Sequence, residues 1–327
     1  MRSDDPALGG GGHEPVLARE VAEALRPFPG GIFVDATFGL GNHTAAVLDA
    51  VEGIERVVGI DRDGEILEEA GRRFARSAVP VDLVRGNFRD LRALLGPGAE
   101  GRVGGILFDL GIGSFQIDRP ERGFSYRSEG ALDMRMDRSG TRSAYDVVNG
   151  YSAEELARVI RRWGEERNAG AIARAIVRAR RAAPIAGTRR LAEVVSSRLS
   201  ARGRIKGLAR VFQAIRIEVN EEIASLEEGL SQAVDVLAPG GHIAVIGYHS
   251  IEDRVVKQRF QEWARGCVCP PHLPVCRCGR APALRLSSRR AIRPSEEEVA
   301  RNPRARSARL RAAVRIAPEG REGRGNG

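Results

Sequence analysis

Residues 32–41 read Ile32-Phe-Val-Asp-Ala-Thr-Phe-Gly39-Leu-Gly41, an apolar run that passes directly into a loop with two glycines. The run is typical of a buried strand, and the residues that follow Gly41 have the spacing of a helix. A strand that turns into a helix in this way presents backbone N–H groups, and glycine lets a ligand approach them closely. The segment therefore predicts a nucleotide-type pocket at Gly39 and Gly41.

Short apolar strands alternate with helical stretches on both sides of this loop. This alternation predicts an α/β fold with a mostly parallel, doubly wound, Rossmann-like sheet, whose ligands bind at the carboxyl ends of the strands. The predicted strands are residues 32–34, 56–60, 81–84, 105–108 and 242–248, with two late strands at 283–286 and 310–316.

The alternation stops between residues 113 and 212, where amphipathic helical stretches replace it. We therefore expect an inserted all-helical domain at 113–212, between a first sheet segment at 13–112 and a second at 213–317. The terminal segments 1–12 and 318–327 are expected to be disordered.

Asp61 ends the second predicted strand, where its carboxylate could accept hydrogen bonds from ribose hydroxyls. A dinucleotide fingerprint would have a third glycine where this chain has Thr44, so S-adenosylmethionine is favoured over NAD. Phe88 follows the third strand and could lie against an adenine ring. The alternative to a ligand site is a plain tight turn with a solvated Asp61. The alternative to an adenine contact is that Phe88 belongs to the core.

The 327 residues include 52 Lys and Arg against 43 Asp and Glu, a formal net charge of +9. Almost all of the basic residues are arginines, whose planar fork suits phosphate and base contacts. A GC-rich genome would explain the scarcity of lysine but not the net charge, so nucleic acid is the favoured partner. No apolar run reaches the ~18 residues of a membrane span and no secretory signal is recognisable, which predicts a cytoplasmic protein without a membrane partner.

The cysteines lie together in a loop at residues 267–278, in the pattern Cys-x-Cys-x6-Cys-x-Cys. The cytosol keeps thiols reduced, so a structural zinc site competes with four unligated thiols as the interpretation. The zinc ligands would be Cys267, Cys269, Cys276 and Cys278.

Longer motifs carry a resemblance to one enzyme family. They include Gly59-Ile-Asp-Arg-Asp63, Phe108-Asp-Leu-Gly-Ile-Gly-Ser114, Leu132-Asp-Met-Arg-Met-Asp137, His249-Ser-Ile-Glu-Asp-Arg254 and Asn302-Pro-Arg-Ala-Arg-Ser307. On these motifs the chain resembles the bacterial small-subunit ribosomal RNA methyltransferases H, the MraW family, from about residue 13 to 315.

The resemblance implies a class I methyltransferase fold with a substrate-recognising helical insertion, and S-adenosylmethionine as methyl donor. It also implies methylation of the N4 amino group of a cytidine in the decoding region of 16S rRNA, with the small ribosomal subunit as partner. The oligomeric state, monomer or homodimer, stays open. The implied donor-binding residues are Gly41, Asn42, His43, Asp61, Phe88, Asp109 and Gln116.

The chain departs from the family pattern near the expected chemistry. Asn42 replaces a glycine, Gly113 replaces a serine, and Gly247-Tyr248 replaces Ser-Phe. Two alternatives therefore stay open: a methyltransferase for an amino group of another RNA or of DNA, and an RNA-binding relative without activity.

An exocyclic amine is a poor nucleophile, so its enzyme needs acceptors that orient it and take its proton. Asp109 and Ser114 are the catalytic candidates, although Asp109 could serve only to position the donor. His249 and Ser250 follow the fifth strand and could contact the cytosine, while a histidine at that place is often only structural.

Arginines in two basic runs are candidates for phosphate contacts, and a solvated charged face is the alternative. The first run contains Arg210, and the second contains Arg304 and Arg306. Arg135 is a further RNA-binding candidate, although it could instead pair with Asp133.

Overall fold

The structure, a computed structural model, describes residues 15–265, 269–270, 273, 275, 277–278 and 280–317. The chain forms two compact units. Unit 1 contains the residues before Ile112 and after Ala224, and unit 2 is Ile112–Ala224. The segments expected to be disordered, 1–12 and 318–327, lie outside the described residues.

Unit 1 is built from strands and helices that alternate along the chain. Its strands are β1 (Gly31–Asp35), β2 (Ile54–Asp61), β3 (Val81–Arg85), β4 (Val103–Asp109), β5 (Leu237–Gly247), β6 (Leu284–Leu286) and β7 (Arg309–Arg315). Its helices are α1 (Ala18–Ala24), α2 (Asn42–Ala50), α3 (Gly64–Phe74), α4 (Leu91–Leu95), most of α11 (Glu222–Val236), α12 (Ser250–Arg265) and α13 (Glu296–Arg301).

The strands form one sheet in the order β3-β2-β1-β4-β5-β7-β6. The first five are parallel, whereas β7 runs antiparallel to both β5 and β6. From β1 the chain proceeds outward to β2 and β3 and then returns to β4 on the other side of β1. The strand order therefore reverses between β1 and β4, and open α/β sheets bind ligands at the carboxyl ends of such a pair.

Both faces of the sheet are covered, which explains why its strands are nearly continuous apolar runs. Side chains alternate along β1, so that Phe33 and Val34 enter different core clusters. Phe33 packs in the cluster that contains Val47 of α2, and Val34 in the one that contains Leu230 of α11. The sequence-based fold prediction is confirmed for this sheet.

β5 begins earlier than expected. The sequence predicts that the strand starts at residue 242, but residues 237–241 also lie inside β5. Leu237 pairs with Val103 and His242 with Gly105, so the extra residues form an irregularity in the register with β4. Among the helices of the described residues, none has the length and apolar character that crossing a membrane requires.

Unit 2 is helical. Its helices are α5 (Ser114–Ile117), α6 (Ala144–Gly150), α7 (Ala153–Gly164), α8 (Ala169–Ala182), α9 (Thr188–Ser196) and α10 (Arg204–Asn220). Capping boxes begin α6 at Ser143 and α7 at Ser152. The expected domain boundary at residue 212 falls inside α10, which continues to Asn220 without a break; the unit ends at Ala224.

Asn220 holds a loop of unit 2 onto the end of α10. Its Oδ1 accepts the N–H of Met136 at 2.8 Å, and its Nδ2 donates to the carbonyl of Met134 at 2.7 Å. Met134 has a left-handed backbone (φ 60°), which is strained for a residue with a side chain. The buried amide of Asn220 therefore fixes the strained segment.

We predict that Asn220→Ala destabilises unit 2 by about 2–4 kcal/mol, because two buried backbone groups lose their partners. Urea unfolding followed by Trp163 fluorescence, in a Trp263→Phe background, measures this change. Lys206→Ala, at an exposed position of the same helix, is the control and should change stability by less than about 0.5 kcal/mol. Equal stabilities of the two variants would contradict the assigned role.

Candidate active site at the carboxyl edge of the sheet

Three neighbouring strands of unit 1 end in aspartates. Asp35 ends β1, Asp61 ends β2 and Asp109 ends β4. Because β1 lies between β2 and β4 in the parallel part of the sheet, all three carboxylates stand at the same edge. This edge is the one where the strand order reverses.

Asp35 is 1% exposed and is held by two threonines. One carboxylate oxygen accepts the Thr37 N–H at 3.2 Å, and the other accepts the Thr44 hydroxyl at 2.8 Å. Burial raises the pKa of Asp35 to about 6. Asp35 is missing from the predicted site, although its position at a strand end is the same signal that points to Asp61 and Asp109. Thr44, which the sequence marks only as an absent glycine, is its hydrogen-bond donor.

Asp61 holds the glycine turn. Its Oδ2 accepts the N–H of Gly39 at 2.9 Å, and its Oδ1 accepts the N–H of Asp63 at 2.9 Å. Burial raises the pKa of Asp61. Each carboxylate oxygen has a second lone pair, so these bonds leave acceptor capacity for a ribose hydroxyl. The ribose contact stays a prediction.

The two glycines of the turn serve different purposes. Both have left-handed backbones, with φ of 54° at Gly39 and 73° at Gly41. A Cβ on Gly41 would lie 2.3 Å from the ring of Phe74, so packing requires glycine there. A Cβ on Gly39 would meet nothing within 4 Å. The space beside Gly39 is therefore the open cradle of the turn.

Asn42 and His43 begin α2. The side chain of Asn42 accepts a hydrogen bond from Arg73, which also donates to the carbonyl of Leu40 at 2.9 Å. His43 is buried, and its Nε2 donates to the carbonyl of Val16 at 2.8 Å. Its Nδ1 lies 3.4 Å from Oδ2 of Asp109. The replacement of glycine by Asn42 thus ties α2 to α3, while His43 faces the carboxylate of β4.

Asp109 is surrounded by polar groups from several elements of unit 1. Its N–H donates to the Thr37 hydroxyl at 2.6 Å, and its Oδ1 accepts the hydroxyl of Tyr248 at 2.8 Å. Burial raises the pKa of Asp109, while His43 and Tyr248 oppose that effect. Burial and the nearby Asp109 raise the pKa of Tyr248 well above its usual value, so its hydroxyl keeps its proton and acts as the donor. The sequence identifies Tyr248 only as a departure from the family pattern.

His249 and Ser250 lie where β5 passes into α12. Nδ1 of His249 accepts the N–H of Glu252 at 3.3 Å. Glu252 in turn accepts the N–H groups of Tyr248 at 2.8 Å and His249 at 3.1 Å. His249 therefore caps α12, in agreement with its structural interpretation, and a contact to the target base stays a prediction for both residues.

Phe88 packs against the core of unit 1 and remains partly exposed. Its ring meets Phe108 edge to face with centroids 5.4 Å apart, and a Cβ on Gly229 would lie 2.7 Å from the ring. The neighbouring Asn87 donates to the hydroxyl of Ser225 at 3.1 Å. Phe88 thus packs against the core, and its stacking on adenine stays a prediction.

Other predicted site residues lie in unit 2. Gln116 is buried in α5, whose first residue is Ser114. Arg135 makes two hydrogen bonds to Asp133, at 2.6 and 3.0 Å, as its pairing interpretation requires. Arg210 pairs with the buried Glu166. Both arginines thus serve within unit 2, and their RNA contacts stay predictions.

Arg304 and Arg306 are exposed in the short helical turn Pro303–Ser307 of unit 1. Of the zinc candidates, Cys267 and Cys276 lie outside the described residues. Cys269 and Cys278 are half-buried, and Sγ of Cys269 accepts the N–H of Arg277 at 3.3 Å. Zinc binding stays a prediction.

The carboxyl edge fits the methyl donor that the sequence favours. The open cradle at Gly39 admits a ligand to the backbone, Asp61 offers acceptors to a sugar, and the strand-end carboxylates can balance a positive sulfonium. The strand order, with antiparallel β7 inserted between β5 and β6, and this edge together define a class I methyltransferase, whose methyl donor is S-adenosylmethionine.

Comparison with known proteins agrees with this class. The family model described as MraW methylase family matches residues 11–316. The chain therefore belongs to the MraW methylase family. It is 49% identical over 307 residues to a protein of Syntrophotalea carbinolica, which covers 93% of this chain and 98% of that one. It is 48% identical over 313 residues to a protein of Thermomicrobium roseum, which covers 94% and 95%. Both relatives are named ribosomal RNA small subunit methyltransferase H.

We predict different effects for substitutions of the two glycines of the turn. Gly39→Ala should weaken S-adenosylmethionine binding at least about tenfold, because its methyl group enters the cradle, and cost about 1–2 kcal/mol of stability from the left-handed backbone. Gly41→Ala should lose more stability, because its methyl group also collides with Phe74. Calorimetric titration with S-adenosylmethionine measures the change in affinity, and thermal unfolding measures the change in stability. Full donor affinity in the Gly39 variant would rule out the cradle.

Proposed function

We propose that this chain transfers a methyl group from S-adenosylmethionine to the N4 amino group of a cytidine in the decoding region of 16S rRNA. The observation that carries the proposal is the Asp109 carboxylate at the end of β4, held by Tyr248 on one oxygen and close to His43 on the other. Family membership and the names of the relatives support ribosomal RNA of the small subunit as the substrate.

Methyl transfer requires activation of the N4 amine, which is a weak nucleophile. The N4 lone pair is delocalised into the pyrimidine ring, so the nitrogen must become pyramidal before it can attack. When bound, S-adenosylmethionine supplies an electrophilic methyl group on a positively charged sulfur. Transfer of that methyl group to the N4 lone pair would leave one proton on the nitrogen to be removed.

Asp109 is the acceptor for this proton in the proposal. Its Oδ1 already accepts the Tyr248 hydroxyl, so Oδ2, on the side of His43, is the oxygen left for the amine. Burial raises the pKa of Asp109, which makes the carboxylate a better base than an exposed one. The carbonyl of Val16 accepts the Nε2–H of His43, and this bond holds the ring beside Oδ2.

We predict that Asp109→Asn lowers kcat by about 10²–10⁴-fold with little change in donor affinity, because the amide keeps the shape and loses the base. Asp49→Asn, at an exposed position of α2, is the matched control. Methyl transfer to naked 16S rRNA, to small ribosomal subunits and to other nucleic acids, followed by nucleoside analysis, measures the rate and identifies the product.

Each outcome selects one interpretation. N4-methylcytidine in 16S rRNA, lost in the Asp109 variant, supports the proposal. A variant that loses donor affinity and keeps kcat would show that Asp109 only positions the donor. Product in another RNA or in DNA would support the alternative substrate. Donor binding without any product in every substrate would overturn methyl transfer.

We predict that Tyr248→Phe shifts the acidic limb of the kcat–pH profile to higher pH by about one unit. The tyrosine hydroxyl stabilises the ionised Asp109, so its removal raises the pKa of that carboxyl, and the active carboxylate is lost at a higher pH as the solution is acidified. Tyr145→Phe, which alters an exposed side chain of unit 2, should leave the profile unchanged. A uniform loss of rate at all pH values would contradict this role.

A further inference from the structure

A cavity of about 380 Å³ lies within unit 1 where β5 passes into α12. Residues 248–250 line one part of it, and Arg293 with residues 306–309 line the rest. We call it the arginine cavity, because Arg293, Arg306 and Arg309 all contribute to its wall. It includes Arg306 but not Arg304, although the sequence singles out both.

The positive charge of the arginine cavity is only partly compensated. Arg309 donates to Asp253 at 2.8 Å, and the other oxygen of Asp253 accepts Arg311 at 2.7 Å. Asp253 is therefore committed to two arginines. Arg293 and Arg306 are exposed, and within the described part of the chain neither makes a side-chain hydrogen bond or an ion pair. Two guanidinium groups remain available at one cavity.

His249 forms part of the cavity wall. Its side chain is 10% exposed and lines the arginine cavity, and its Nε2 has no hydrogen-bond partner among the described residues. Oε1 of Glu252 lies 3.1 Å from this nitrogen without the geometry of a hydrogen bond. Nδ1 accepts the N–H of Glu252, so Nε2 carries a proton and directs it toward the Glu252 carboxylate.

We propose that the arginine cavity binds a phosphodiester group of the RNA substrate next to the target nucleotide, an inference that rests on the proposed function. Guanidinium groups form paired hydrogen bonds with phosphate oxygens, and phosphate contacts set the register of a nucleic acid on its protein. Tyr248 connects the two sites, since it lines the cavity and its hydroxyl bonds to Asp109. Only the side chain of Tyr248 therefore separates a phosphate bound in this cavity from Asp109, the proposed proton acceptor.

The test compares two double variants that remove the same charge. Arg293→Gln with Arg306→Gln alters the arginine cavity. Arg76→Gln with Arg102→Gln alters two exposed arginines that precede β3 and β4, at the opposite edge of the sheet. Binding of a labelled 16S rRNA decoding-region fragment is measured over a range of salt concentrations, without the methyl donor.

We expect the first pair to weaken RNA binding at least about tenfold and to reduce the slope of log Kd against log salt by about 0.7 for each lost phosphate contact. The control pair should change neither quantity by a comparable amount. In methylation assays the first pair should raise KM for RNA and leave kcat at saturating RNA within about twofold, because the phosphate positions the RNA and takes no part in bond formation.

Equal losses in the two pairs, or an unchanged RNA affinity in the first pair, would overturn the inference. So would a fall in kcat with unchanged RNA affinity. Calorimetric titration with S-adenosylmethionine checks that each variant is folded; if the first pair is not, Arg293→Gln alone replaces it. Wild-type protein that binds RNA through these arginines and transfers no methyl group would overturn the proposed function and support the cavity.

Discussion

Three carboxylates at one edge of a buried sheet need hydrogen-bond donors, and this requirement organises unit 1. An unpaired carboxylate is costly to bury, so each aspartate recruits groups from other elements. The threonines at 37 and 44 serve Asp35, the glycine turn serves Asp61, and Tyr248 serves Asp109. The strand ends, α2 and the end of β5 are therefore tied together through their side chains as well as through the sheet.

This network also determines the acid–base chemistry of the three aspartates. Burial raises the pKa of each aspartate, and their hydrogen-bond donors differ in how strongly they oppose this rise. Asp109 is the one whose oxygens face a tyrosine hydroxyl and a histidine ring, so its basicity depends on groups that a single substitution can remove. Tyr248 further links this carboxylate to a cavity with two available arginines, which places a substrate-positioning surface next to the proton acceptor.

Much of this arrangement could be predicted from the sequence, because it depends on chain direction. In a parallel sheet every strand ends at the same edge, so residues that follow apolar runs meet there whatever the details of packing. That signal predicts Gly39 and Asp61, and it applies equally to Asp35 and Asp109. The boundary predicted at residue 212 lies inside α10, because the helical pattern has no break there. Residues 239–241 belong to β5, because a sheet can absorb extra residues at an irregular register.

The sequence by itself determined the doubly wound sheet, the family and the edge at which the acids stand, since periodicity and motif order are properties of the chain. Only the tertiary structure decided which side chains form hydrogen bonds with each other and which charged side chains lie side by side. Tyr248 pairs with Asp109 although the two are far apart in the sequence, and Arg293 and Arg306 line the same cavity. Gly39 and Gly41 are identical residues, but only Gly41 is packed against a ring. Such relations depend on distances in space, which no local pattern of residues encodes.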